Sequence, residues 1–177
     1  FSADLAAGRA NRFRLEYGPG VARSAPEAAV DVRETADAVE VDAGRLRFTV
    51  SKRRFSLLDS VVLDGALVYR GSERDGPYMV DQEGRAYLAQ RDNSPEVVIH
   101  ERNLLRVVLR ISGWHCSEEA VDPASTKWPN RLGRFVTYIV AYAGQPYLRI
   151  YHTFIITEPA DVKYRDIGLR LTATGED

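Results

Sequence analysis

Apolar residues alternate with polar ones along most of this 177-residue chain, the period of two that a half-buried strand requires. In Arg45-Leu46-Arg47-Phe48-Thr49-Val50, Leu46, Phe48 and Val50 share one face, and the arginines and Thr49 share the other. Residues 60–70 read as a hairpin: Val61, Val62 and Leu63, then Asp64-Gly65, then Leu67, Val68 and Tyr69. Asp-Gly between β-formers signals a two-residue turn, because a type I′ turn needs positive φ at both central positions. A second antiparallel pair is predicted at 95–102 and 104–111, turning near Asn103. A third is predicted at 134–142 and 146–157, joined through Ala143-Gly144-Gln145-Pro146. The last clear strand is 164–173, with Ile167, Leu169 and Leu171 on one face. Shorter strands are predicted at 12–17, 28–34, 37–42 and 84–90. No capping box leads into an apolar stripe of helical period. The window 25–38 holds Ala and Glu, but also Val30, Val32 and Thr35, which suit a strand better. The pattern predicts an all-β fold, an antiparallel β-sandwich (supersandwich-like) with little helix.

Two breaks interrupt the alternation. Pro19-Gly20 and the small-residue stretch 22–29 mark a boundary, so residues 1–24 are expected to be the remnant of a preceding domain with its linker, and 25–177 the sandwich. The segment from Gly113 to Gly133 has no sustained period. It reads as a long loop, and such loops inside a domain are often functional. No apolar run approaches the roughly 20 residues of a spanning helix. The sequence begins at Phe1, and is silent on targeting.

Charge narrows the partners. Lys and Arg total 24 against 25 Asp and Glu, a net charge of −1. That gives no electrostatic case for nucleic acid or an anionic membrane. Arginine dominates the cations, which fits carboxylate recognition by guanidinium, although a GC-rich gene is the plainer reading. The single cysteine, Cys116, excludes a disulfide within the chain and a cysteine-based metal site. His100, His115 and His152 show no HxH or HExxH spacing. No cofactor is expected, although an oxygen-ligand calcium site using Asp92, Glu96 or Asp122 stays open. There is no GxSxG, P-loop or GxGxxG motif.

Candidate chemistry concentrates in Gly113–Gly133, which holds Trp114, His115, Cys116, Glu118, Glu119, Asp122, Lys127, Trp128 and Arg131, including both tryptophans. A sugar cleft needs apolar ring faces beside directional polar groups. The competing reading is that the indoles cap the core and the charges are solvated. His115 is a candidate general base. His152 shares parity with Leu148, Ile150, Phe154 and Ile156, and is expected to be a hydrogen-bonded core histidine. On the other face, Tyr147, Arg149, Tyr151 and Thr153 form a polar-aromatic stripe that either binds sugar or pairs across the sheet.

The stretch Val41-Asp42-Ala43-Gly44-Arg45-Leu46-Arg47-Phe48-Thr49-Val50, then Leu58-Asp59-Ser60-Val61 with Leu63-Asp64-Gly65, resembles the opening of a β-sandwich in the PcRGLX/YetA-like family of exo-acting rhamnogalacturonan lyases. The run from Arg134 to Phe154, with Ala141-Tyr142-Ala143-Gly144-Gln145-Pro146 and the closing His152-Thr153-Phe154, resembles a second block of the same family. The resemblance covers most of residues 37–173 and implies a RIFT-barrel-like first domain, a central β-sandwich and an (α/α) toroid. Residues near 1–20 would end the first, and the toroid, where most catalytic residues are expected, would be absent. The implied chemistry is β-elimination across a galacturonate of a pectic polysaccharide. Arg131 or Arg134 would neutralise the carboxylate, and Tyr138 or His115 would move the proton. Trp114, Lys127 and Trp128 would bind substrate. Arg134 and Tyr138, four apart in a strand, would share a face. The implied partners are pectic polysaccharide and the catalytic domain of the same parent protein, in a secreted or periplasmic setting. On this reading the chain is a non-catalytic or incomplete part of a polysaccharide lyase. The alternatives are a carbohydrate-binding or scaffolding sandwich on another glycan-active enzyme, and an adhesion-type domain.

Overall fold

In the computed structural model, residues 7–14, 16–22, 25–117, 130–156 and 162–172 are described. Twelve strands follow one another along them: β1 (Asp31–Glu34), β2 (Ala38–Asp42), β3 (Leu46–Ser51), β4 (Ser60–Leu63), β5 (Ala66–Arg70), β6 (Gly76–Asp81), β7 (Ala86–Leu88), β8 (Glu96–Arg102), β9 (Arg106–Ser117), β10 (Arg131–Tyr142), β11 (Leu148–Ile155) and β12 (Tyr164–Arg170). A short 3-10 turn, Ala89–Arg91, is the one helical element among the described residues. Every pairing is antiparallel. The small sheet runs β1-β2-β3-β4-β5. The large sheet runs β11-β10-β9-β7-β6-β12, with β8 also on β9. The fold is all-β and is the sandwich that the alternation predicts.

The apolar parity of each strand decides which face turns inward. Val39, Val41, Phe48 and Val50 of the small sheet meet Val107, Leu109, Ile111, Phe135, Ile139 and Ala141 of the large one in a single buried core. Burying each of these apolar side chains other than Ala141 stabilises the fold by about 1.5–3 kcal/mol before entropy is counted. Phe55, on the loop after β3, enters the same core and stacks on Phe135 with ring centroids 5.3 Å apart. The β4–β5 turn has φ of 49° at Asp64 and 86° at Gly65, both positive as the Asp-Gly pair predicts. At the β8–β9 turn, Asn103 Oδ1 accepts the N–H groups of Leu105 and Arg106, each at 2.9 Å. A buried carboxylate, Asp75, ties the far end together. Its Oδ2 accepts the Tyr69 hydroxyl (2.9 Å) and Ser72 N–H (2.8 Å), and its Oδ1 accepts Thr172 N–H (2.8 Å) and hydroxyl (2.7 Å).

Three expectations are corrected. Residues 12–14, 16 and 17 are not in a strand, and Phe13 and Tyr17 are exposed there. The supposed loop from Gly113 is strand as far as Ser117, and strand again from Arg131, so β9 and β10 are twelve residues each. Only 118–130 separate them, of which 118–129 lie outside the described residues. Finally, β6 is a full strand where none was predicted. Smaller shifts trim 84–90 to β7 plus the 3-10 turn, and 164–173 to β12.

Candidate functional site

Cross-strand register builds the outer face of the large sheet in rows. Trp114 of β9 stands opposite Arg134 of β10, and Arg134 opposite Ile155 of β11. The next rows are Glu96–Ser112–Val136–Thr153 and Val98–Arg110–Tyr138–Tyr151, then Val108–Val140–Arg149. Arg134 and Tyr138 therefore share a face, as their spacing predicts. Arg131 joins them for a reason that spacing hides. On a regular strand, residues three apart face opposite sides. The β9–β10 register slips between Leu132 and Arg134, leaving Gly133 as an extra residue with φ of 63°. This β-bulge returns Arg131 to the outer face, opposite Cys116.

Both guanidinium groups then lie against one indole. The Arg131 and Arg134 Cζ atoms are 5.8 Å and 5.5 Å from the Trp114 ring centroid, within cation–π range. Trp114 is itself held from behind, where Asp92 Oδ2 accepts its backbone N–H at 2.8 Å. Asp92 is buried, and its other oxygen accepts Ser94 N–H at 3.1 Å. It fills the notch on β9 between the stretch paired with β8 and the stretch paired with β7.

The acids that β8 brings to this face are already matched. Glu96 accepts the Ser112 hydroxyl (2.9 Å) and Arg110 (3.0 Å), and these bonds, with the Arg110 and Arg134 charges, hold its carboxyl below the usual range. Glu101 pairs with Arg106. No described carboxylate forms an ion pair with Arg131, Arg134 or Arg149. Asp92 and Glu96, considered for calcium, thus serve backbone and side-chain donors here; Asp122 lies outside the described residues.

His115 lies on the opposite, inner face and is fully buried. Its Nδ1–H donates to the Gly133 carbonyl at 3.1 Å, so it braces the bulge from inside. Its ring packs on Phe154 (5.5 Å) and edge-on to Phe135 (5.4 Å). His152 is beside it, 6.4 Å between ring centroids, and shares a 2.7 Å hydrogen bond with the Thr137 hydroxyl. The expectation of a hydrogen-bonded core histidine holds for His152. Lys127 and Trp128, expected to bind substrate, lie outside the described residues.

The histidine pair makes stability depend on pH. Burial, then the neighbouring His115, pushes His152 down to about 4. Between roughly pH 6.5 and 4 the unfolded chain takes up a proton here that the folded chain refuses. His152 therefore imposes no penalty above about pH 6.5, and its penalty grows as pH falls through that window. Allowing for partial exposure, the expected loss is about 1–2 kcal/mol. Chemical denaturation across the window should show a shallower slope for His152→Gln than for the native chain; equal slopes would refute the assignment.

The face was partly visible beforehand. The stripe Tyr147, Arg149, Tyr151 and Thr153 lies on it, and the parity of β9 could have added Arg110 and Ser112. The small sheet carries a groove of about 330 Å³ lined by Arg33, Arg47, Asp31, Glu40 and Asp42 among others. Its arginines are neutralised in place, Arg47 by Asp42 at 2.8 Å and Arg33 by Glu40 at 3.8 Å. It offers no comparable surplus of positive charge.

Comparison with known proteins agrees with this architecture. Residues 30–176 match the family described as PcRGLX-like protein central beta sandwich domain. No curated protein matches the chain. The match spans most of the sequence and the sandwich observed, and the chain belongs to the PcRGLX-like family, of which it carries the central β-sandwich domain.

Proposed function

We propose that this domain is a non-catalytic or incomplete part of a rhamnogalacturonan lyase-like protein, and that the Trp114 end of its outer face holds a uronate carboxylate of a pectic chain. The observation that carries this reading is the pair Arg131 and Arg134, brought to one face by the Gly133 bulge and laid against one indole. A guanidinium presents a planar fork that fits a carboxylate bidentately. Held by the indole, it loses less side-chain freedom on binding. Trp114 on this reading orients the cations, and Tyr138, two rows along the same face, supplies a hydroxyl for sugar or proton transfer. His115, buried beneath the bulge, acts by positioning. The β-elimination itself needs a base at the C5 proton and stabilisation of the developing enolate. Those groups would be completed by the neighbouring catalytic domain that the family resemblance implies.

Titration calorimetry with oligogalacturonide tests the binding. The native chain should bind, and Arg134→Gln should weaken binding about tenfold, the loss of one charge-assisted contact. Unchanged affinity at an unchanged melting temperature would refute the role of Arg134. The chain alone should release no unsaturated uronate from rhamnogalacturonan, followed by ultraviolet absorbance; robust turnover would place a whole active site within these residues. A scaffolding role, in which the same face packs on the catalytic domain, predicts no oligosaccharide binding by the native chain.

A further inference from the structure

The outer face does not end at Trp114. Arg149 of β11 lies 5.8 Å from the rings of both Tyr142 and Tyr147. Among the described residues its charge is met by tyrosines, Tyr151 foremost, and by no carboxylate. Between the two clusters stand Tyr138 and Tyr151, directly opposite each other, with His100 edge-on to Tyr138 at 5.8 Å. Tyr147 and Tyr151 are 43% and 55% exposed, so their rings are open to a ligand. Along β10 the sequence is Arg134, Tyr138, Tyr142, each four residues on and each on the same face. At about 3.4 Å per residue these stations lie roughly 14 Å apart, and Arg149, opposite Val140, stands roughly 20 Å along the sheet from Arg134. Of the described acids of the face, Glu96 and Glu101 lie on β8 and are matched there by Arg110 and Arg106, and Asp166 lies on β12, where it accepts the Tyr78 hydroxyl at 3.0 Å. The β10–β11 stripe is left with cations backed by aromatic rings at both ends and tyrosines between.

We infer that this stripe binds one extended acidic polysaccharide, with Arg131 and Arg134 taking a carboxylate at one end, Arg149 taking a second at the other, and Tyr138 and Tyr151 lying under the sugars between them. The inference rests on the uronate reading of the Trp114 end and adds a second anionic subsite to it. A charge at each end with rings between suits a chain whose carboxylates recur at intervals, since the rings pack on sugar C–H faces while the guanidinium groups select the acid. A single uronate could satisfy only one end.

The test uses the chain itself with galacturonic acid, a short and a long oligogalacturonide, a neutral galactan oligomer and polyglutamate. Affinity should rise with oligogalacturonide length, and Arg149→Gln should weaken the long oligomer about tenfold while leaving the short one unchanged. Arg134→Gln should weaken both. Long-oligomer binding that is sensitive to Arg134→Gln but not to Arg149→Gln would overturn the second subsite and leave the uronate reading intact. Insensitivity to Arg134→Gln would overturn the uronate reading as well. Polyglutamate binding as tightly as the long oligogalacturonide would assign the stripe to an acidic peptide and overturn the inference, as would galactan binding equally well. Circular dichroism melts that coincide with the native chain confirm that the variants remain folded, as expected for an exposed arginine on a sheet surface.

Discussion

Replacing Phe135 with alanine is expected to cost about 3–5 kcal/mol, the range for emptying a buried aromatic site. Phe135 has no solvent exposure and sits where the two sheets meet. Its ring stacks on Phe55 at 5.3 Å and 13°, and packs against His152 at 5.9 Å and His115 at 5.4 Å. Alanine would remove the partner of Phe55, the one ring that the loop after β3 contributes to this cluster. Phe135's own strand, β10, is paired on both sides, by β9 and β11, so collapse into the void would be limited. Against an ordinary stability of about 5–15 kcal/mol, such a loss removes a large share of the total. Urea unfolding followed by far-ultraviolet circular dichroism measures it. Phe135→Leu, which fills most of the volume, should cost much less. A loss below about 1 kcal/mol for the alanine variant would mean that Phe135 does not anchor the core in this way.

Much of the fold could be read from the sequence because its signals are local. Alternation in β3, β10 and β11 depends only on which face meets the core, and the Asp64-Gly65 turn depends only on two backbone angles. His152 could be placed from the parity of its strand. The failures cluster at glycines. Gly113 and Gly133 interrupt the alternation, so the ends of β9 and β10 look like loop. Each is glycine for a tertiary reason: at Gly113 an added Cβ would meet Asp92 and Phe135, and Gly133 is the bulge. Gly76 hides β6 in the same way; its φ of 108° and its closeness to the Phe55–Ser56 backbone are invisible in the sequence.

The candidate site divides along the same line. That Arg134 and Tyr138 share a face follows from period two. That Arg131 joins Arg134 on Trp114 depends on the extra residue, and that His115 turns inward depends on where β9 continues past Gly113. Residue types in the segment pointed to a charged and aromatic surface. Which of them reach it was decided by register, a property of two strands together. The surplus of positive charge on the β10–β11 stripe is likewise a pairing result, because it appears only once Arg110 and Arg106 are seen to take the acids.

Gly113→Ala is the substitution that links core and site, and it is expected to cost about 3 kcal/mol through overpacking and the disturbance of a buried carboxylate. The added Cβ would lie 2.6 Å from Asp92 Oδ2 and 2.9 Å from the Phe135 ring. Neither neighbour can yield easily. Phe135 is held in the stacked cluster, and Asp92 Oδ2 is the acceptor for Trp114 N–H at 2.8 Å. If Asp92 moves, that N–H and a buried charge both lose a partner, and Trp114 loses the bond that sets its place under Arg131 and Arg134. Stability and uronate binding should therefore fall together, whereas Arg134→Gln affects binding alone. Asp92→Ala removes one of the two obstacles, so the double variant should be less destabilised than the sum of the singles, by an amount a thermodynamic cycle reads directly. Full additivity, or a Gly113→Ala chain with the native melting temperature, would show that Asp92 does not occupy the notch beside Gly113 as described.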